Sequence, residues 1–466
     1  MVAMNLPSVR PRLHLMAETW INDPNGLVFA DGVWHAFFQH NPSGPSWGNM
    51  SWGHATSSDL LAWTMHPVAL PNTPDHACFS GSAVHDVENT AGFGAGALVV
   101  LYTAAHEDAS PHAGLQTQFV AHSVDHVTFT RSDEPVLSRQ SPHFRDPKVV
   151  RWGGQDGYWV MAAVEAVDNA VVLYRSDDLQ HWSQLSEFRF PGLVSPQWEC
   201  PDLFPIMVDG HPRWIMIVSV NPGALQVGSR TRCFLGDFDG VTFTVDEGHP
   251  SSGNDEHWPD GCWLDWGSDN YASVTFSGVD RAPGEGRTVM VGWHDNWDYA
   301  FPLADAGFPG MLTVPREVSW VSGVSGSYDP GTLRQWPVRE LFARLGEAAL
   351  VKPAEGFTTP AVGFTELVLR ERQTLTIGSH TLVWQADEVS LTRAPMAGVC
   401  AEKTVRAPLR PGLSELAVAV LTDHGSLELF LDEGRTTLAN VALDETEGRT
   451  LTWSGEIGQL RVAGLA

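Results

Sequence analysis

The stretch S-S-D-L-L-A-W, Ser57 to Trp63, returns three times along the chain. It recurs as S-V-D-H-V-T-F from Ser123 to Phe129, as S-D-D-L-Q-H-W from Ser176 to Trp182, and more weakly as F-D-G-V-T-F from Phe238 to Phe243. The closing aromatics lie 66, 53 and 61 residues apart. A supersecondary unit of that period suits a four-stranded propeller blade carrying extended loops. Up to about residue 337 there is room for five such units, so the repeat predicts a five-bladed β-propeller. Between the repeats, short alternating or β-branched runs recur, as in Trp34 to Gln39, Ala97 to Thr103, Tyr158 to Val164 and Trp214 to Val220. Helical periodicity is scarce. The fold class expected is all-β.

In a propeller the innermost strand of each blade runs beside the central axis, so equivalent positions converge at one end of the channel. Counting 17 residues on from the closing aromatic reaches Ser80, Asp146 and Glu199. The shared offset nominates two carboxylates for one rim.

After Pro337 the texture changes. The segment W-P-V-R-E-L-F-A-R-L-G-E-A-A, Trp336 to Ala349, has amphipathic helical spacing and reads as a connector. From Gly356 onward come alternating runs, including Gln373 to Ile377, Glu415 to Leu421, Ser426 to Leu431 and Thr450 to Trp453. These suggest an antiparallel sandwich. The expected organisation is a propeller over residues 1–337, a helical linker over 338–355 and a β-sandwich over 356–466. With few tryptophans and no clustered carboxylates, the last part reads as a packing module rather than a separate sugar-binding unit.

Composition bounds the partners. The chain has 466 residues, 43% apolar and 18% charged, with a formal charge of −27. Lysine occurs only at 148, 352 and 403. Such an acidic balance without a basic patch disfavours nucleic acid and anionic membrane surfaces as partners. The cysteines, at 78, 200, 233, 262 and 400, have no C-x-x-C spacing, which argues against a disulfide framework or a zinc cage. No apolar run approaches the roughly 20 residues that span a bilayer. The N-terminus lacks the order of a signal peptide, as expected of a cytoplasmic or an already processed chain. Oligomeric state is not legible. The 19 tryptophans suit either a large β core or faces on which sugars stack.

Three acids sit in braced contexts: W-I-N-D-P-N-G (Trp20 to Gly26), F-R-D-P-K (Phe144 to Lys148) and Q-W-E-C-P-D (Gln197 to Asp202). The first could be no more than a hairpin loop, since N-G is a turn signal. Together they fit glycosidic-bond cleavage, which needs one ionised carboxylate to attack the anomeric carbon and one protonated acid to assist departure. Arg145 beside Asp146 would hold that carboxylate ionised, and Trp198 and Cys200 give Glu199 an apolar setting suited to a proton donor.

With these motifs the chain resembles glycoside hydrolase family 32, the invertases, inulinases and levanases that cleave β-fructofuranosides. The resemblance also rests on F-F-Q-H-N-P (37–42), W-G-N-M-S-W-G-H-A-T-S (47–57), F-S-G-S (79–82), W-G-S-D-N-Y-A-S-V-T-F (266–276) and G-W-H-D-N-W-D-Y-A (292–300). It implies a five-bladed propeller followed by a β-sandwich. It further implies Asp23 as nucleophile, Glu199 as general acid and base, and Asp146 as the carboxylate that holds fructose hydroxyls and steadies the transition state. Sugar contacts are implied for Asn22, Gln39, Trp47, Phe79, Ser80, Arg145 and Trp293, with Trp52 either a contact or structural. The implied reaction is double displacement with retention, the two carboxyls lying about 5–5.5 Å apart. Positive charge developing at the anomeric carbon explains why an acidic pocket helps, so neither metal nor cofactor is expected.

Phe38 and His40 stand where relatives often carry tyrosines, which would alter contacts beyond the first sugar. The stretch after Trp297 resembles the levanase and inulinase branch, but Phe301 to Gly310 has diverged. The substrates expected are fructans such as levan or inulin, with sucrose as a further possibility. Fructosyl transfer, including formation of a difructose anhydride, uses the same carboxylates. A non-catalytic sugar-binding propeller would be expected to lack one of them.

Overall fold

A computed structural model of the chain describes residues 10–191, 193, 195–224, 228–246, 263–279, 286–323, 331–354, 356–443 and 447–465. The protein is all-β. Five antiparallel sheets follow one another along the first part of the chain, each built from strands in sequence order. Their first strands are Ile21–Ala30 in sheet I, His76–Asp86 in sheet II, Phe144–Trp152 in sheet III, Gln197–Val208 in sheet IV and Tyr271–Thr275 in sheet V. Each sheet has four strands in order, and sheet II carries one more short strand, Leu137–Ser138. The first strand of each sheet packs against that of the next, and that of sheet V against that of sheet I. There Phe29 N–H donates to Ser277 O and Ser277 N–H to Leu27 O, each at 2.9 Å.

The repeated heptad is an aspartate turn between the third and fourth strands of a sheet. Asp59 Oδ1 accepts from the N–H groups of Leu61 and Ala62 at 3.0 and 2.7 Å. Asp125, Asp178 and Asp239 each accept the same pair of backbone bonds. The residue after each aspartate is left-handed, Leu60, His126, Leu179 and Gly240 at φ 64°, 62°, 61° and 97°. A carboxylate that satisfies two turn N–H groups offsets the cost of that conformation. The closing aromatics then pack in the apolar cores.

Two six-stranded antiparallel sheets follow. Strand Gly425–Leu431 is buried throughout. Its Leu427, Leu429 and Leu431 pack in one core with Leu375, Leu382, Trp384 and Leu391 of the facing sheet. Its alternate residues Glu428 and Phe430 face the first five sheets, where Phe430 shares a core with Leu13 and Trp34.

The expected strands are present, but the connector differs from its expectation. Only Arg339–Arg344 is helical. Trp336 and Pro337 belong to strand Thr332–Pro337, paired with Arg316–Val321, and Ala349–Val351 is again a strand. Ladder hydrogen bonds in front and the extended Leu345 behind, which bridges Leu465, leave less than two turns for the helix. No helix among the described residues is long and apolar enough to cross a membrane. No disulfide joins Cys78, Cys200, Cys233 and Cys400 to one another, and Cys262 lies outside the described residues.

Candidate active site

Each first strand carries a register shift near its start. The shifts fall between Ile21 and Pro24, Phe79 and Gly81, Arg145 and Lys148, Glu199 and Asp202, and Tyr271 and Val274. Such bulges break strict alternation and re-aim side chains. Pro24, Pro147 and Pro201 stand at these breaks, where no ladder N–H is needed. Asp146, Cys200 and Ala272 are left-handed at φ 61°, 45° and 52°, a backbone cost that proteins tolerate chiefly at functional positions. Gly26, just past the first bulge at φ 49°, has no room for a Cβ, which would lie 2.8 Å from Trp52 and 2.9 Å from Phe37. The N-G of the first motif is therefore a packing requirement within a strand and not a hairpin tip.

The bulges bring the three acids together. Asp23 Oδ2 accepts from Ser80 Oγ at 2.8 Å and from Cys200 Sγ at 3.5 Å, Asn22 also supports the carboxylate, and Asp23 Oδ1 is buried with no well-aligned partner among the described residues. Asp146 Oδ2 accepts from Cys200 N–H at 2.9 Å. Glu199 accepts from Arg145 Nη2 at 3.0 Å on one oxygen and from the Tyr271 hydroxyl on the other. Sheets I to V thus contribute Asp23, Ser80, Arg145 with Asp146, Glu199 with Cys200, and Tyr271. The offset of 17 places Ser80 and Asp146 in their bulges and Glu199 one residue ahead of its own.

Electrostatics separates the carboxylates. Burial, then the nearby charge of Glu199, raises the Asp23 pKa above the ordinary carboxylate range. Burial pushes Asp146 up to about 7 against the pull of Arg145. The guanidinium expected to serve Asp146 lies closer to Glu199, 3.0 Å against 3.8 Å from its Nε to Asp146. The side chain of Glu199 is more accessible than that of Asp146, at 20% exposure against 6%.

The expected sugar contacts fall into two groups. Ser80 and Arg145 touch the carboxylates directly, and Asn22 lies beside Asp23 with its Oδ1 held by Trp20 Nε1 at 2.7 Å. Phe79 is half-buried and meets the exposed Trp47 edge-on at 6.1 Å. Gln39 and Trp293 lie deeper. Gln39 Nε2 donates to Cys78 O at 3.0 Å, tying sheet I to sheet II. Trp293 is fully buried behind Trp20, Trp297 and Tyr271. Trp52 is structural, buried with its Nε1 on Phe79 O at 2.9 Å. Phe38 is also fully buried, against Gly53, and His40 Nδ1 is bonded to Trp20 O, so Phe38 presents nothing to a ligand. Sequence reasoning missed Tyr271 and the thiol of Cys200. Tyr271 holds the same register as Arg145 and Glu199, the last paired residue before the shift, but no aspartate turn preceded it from which to count.

A cavity of about 570 Å³ opens at the opposite end of the first strands, lined by Lys148, Phe204 and Thr275 among others and by none of the three acids. Chemistry rather than volume locates the site.

Comparison with known proteins places the chain in a family. Residues 14–337 match the family model "Glycosyl hydrolases family 32 N-terminal domain". The levanase of Bacillus subtilis (strain 168) is 33% identical over 495 residues, covering 98% of this chain and 69% of that protein. The extracellular exo-inulinase of Aspergillus ficuum is 31% identical over 508 residues, covering 96% and 92%. The crystal structure of exo-inulinase from Aspergillus awamori superposes with a TM-score of 0.84 at 28% identity, over 98% of each chain. From the bulged acids to the pair of C-terminal sheets, the chain belongs to glycoside hydrolase family 32.

Proposed function

We propose that the protein hydrolyses terminal β-D-fructofuranosyl residues of fructans such as levan or inulin, with sucrose as an additional substrate, by double displacement with retention. The observation that carries this reading is the meeting of Asp23, Asp146 and Glu199, from three sheets, at one mouth. Asp23 is held by Ser80 and Cys200 through Oδ2, which leaves Oδ1 to attack C2. Glu199 protonates the departing oxygen and then takes a proton from the water that releases fructose. The Tyr271 hydroxyl can donate to ionised Glu199 and accept from protonated Glu199, so it follows the proton in both half-reactions. Asp146 holds fructose hydroxyls and offsets the positive charge that develops at C2. Trp47 and Phe301, 44% and 46% exposed, offer flat apolar faces to the next sugar units.

In this reading the five sheets are the blades of a propeller over residues 1–337 and the two six-stranded sheets a β-sandwich over 356–466. The cyclic contacts of the first strands and the bonds joining sheets V and I support the closed arrangement. The sandwich acts as a packing module.

Product analysis on levan, inulin and sucrose tests the proposal. Free fructose should be the main early product. Disaccharides or difructose anhydride in its place would make the protein a fructosyltransferase, and absence of turnover with retained sugar binding would make it a binding protein.

A further inference from the structure

We propose that Asp31, His85 and His126 form a binding site for a divalent transition-metal ion of the zinc type, clamping sheet I to sheet II at the end of the strands away from the carboxylates. The three residues come from separate places. Asp31 lies on the turn after Ile21–Ala30, His85 near the end of His76–Asp86, and His126 at the left-handed position of the second aspartate turn. One ligand atom from each lies within 4.8 Å of the other two.

The spacing fits an ion better than a hydrogen bond. His85 Nε2 is 3.8 Å from Asp31 Oδ1, beyond hydrogen-bond reach. Zinc bonds of about 2.1 Å at the tetrahedral angle set neighbouring donors about 3.4 Å apart, so a shift of a few tenths of an ångström brings the Asp31–His85 pair to that spacing. His126 is already braced as metal-binding imidazoles commonly are. Its Nε2 lies 2.8 Å from Gly96 O, which fixes the tautomer and leaves Nδ1 a lone pair. A further imidazole lies beside the group. His35 is 4% exposed, its ring meets His126 edge-on at 5.6 Å, and its Nδ1 is engaged with His54 at 3.1 Å. Its Nε2, on the other side of the ring, is buried without a partner.

Two imidazoles and a carboxylate favour zinc and its neighbours over magnesium or calcium. The Asp31 side chain, 73% exposed, gives the ion an entry. A second cluster, Asp75, His76 and His106, is complete without an ion. His106 binds Ser110 Oγ and Thr117 Oγ1, each at 2.8 Å, and His76 faces Asp75 at 3.3 Å and the Tyr102 hydroxyl at 3.4 Å. The ion takes no part in catalysis, because Asp23 and Asp31 lie near opposite ends of one strand, on the order of 25 Å apart.

The test is calorimetric titration of chelator-treated protein with zinc chloride, with melting curves with and without zinc. The expected result is one tight equivalent and a higher Tm with zinc. The double variant His85→Gln/His126→Gln should bind at least 100-fold more weakly, with the fructose-releasing rate and the zinc-free Tm unchanged. Asp31→Asn, on an exposed turn, should weaken binding at least tenfold and serves if the double variant does not fold. Asp75→Asn should bind as the parent does. No heat of binding at about 0.1 mM zinc, binding that survives the histidine or Asp31 substitutions, or binding lost in Asp75→Asn would overturn the proposal.

Discussion

Two clusters of carboxylates in this molecule are treated in opposite ways. Between the first five sheets and the C-terminal pair, Glu428 is bonded to Arg316 at 2.6 Å, to His14 at 2.8 Å and to Val314 N–H at 2.9 Å. Asp265 holds Arg316 at 2.8 Å and the N–H groups of Gly267 and Ala439, and Asp423 holds His14 and the N–H groups of Arg12 and Leu13. Every one of these acids has its pKa lowered, because partners outweigh burial. At the mouth, Asp146 is buried and Asp23 partly so, but both are under-neutralised, and their pKa values rise. The interface acids therefore add stability above their unfolded pKa and lose it as pH falls. The site acids subtract stability once they ionise. One residue type thus makes either a fastener or a reagent, depending on how many donors surround it.

The contrast can be broken most sharply at the mouth. Asp23→Asn and Glu199→Gln should each lower kcat by about 10⁴-fold or more, while the Tm of Asp23→Asn stays level or rises, since an unsatisfied charge is removed. Steady-state kinetics and calorimetry on the same samples check both halves. At the interface the outcome reverses. Arg316→Met should cost about 3–5 kcal/mol by leaving Glu428 and Asp265 without their cation, with kcat of the folded fraction unchanged in denaturant-controlled assays. His14 sharpens the comparison through pH. Asp423 and Glu428 outweigh burial and raise its pKa from 6.5 to about 9. Its contribution, about 3 kcal/mol, is fully present below pH 6.5 and is lost as pH rises through 9. Unfolding measured across that range should show the loss, and His14→Gln should flatten it. The smallest effect is expected for Tyr271→Phe, which removes one hydrogen bond to Glu199. It should lower kcat about tenfold to a hundredfold and displace the pH–rate profile, leaving KM for sucrose nearly unchanged.

The repeat and the three acids were legible because each is local. An aspartate turn leaves its S-x-D-x-x-x-aromatic signature within seven residues, and Pro after Asp23, Asp146 and Cys200 marks the bulges that aim the chemistry. What stayed hidden depends on contacts between distant segments. Arg145 adjoins Asp146 in sequence, yet its guanidinium reaches across to Glu199 on the next sheet. Tyr271 is an ordinary strand tyrosine until sheet V closes beside sheet IV. The amphipathic spacing after Trp336 was real, but pairing of Thr332–Pro337 with Arg316–Val321 overrode it. Gln39 and Trp293 carry the family's motifs and still sit behind the surface that the other residues present.

The most direct test of the account is to find which atom the sugar is bonded to in mid-reaction. Glu199→Gln, which should form the fructosyl-enzyme from a substrate with an activated leaving group and fail to hydrolyse it, is quenched in acid and its peptides are mass-mapped. One fructosyl unit is expected on the peptide containing Asp23, absent from the Asp23→Asn/Glu199→Gln double variant. An adduct on any other residue, or release of inverted fructose with no adduct under the same quench, would contradict it.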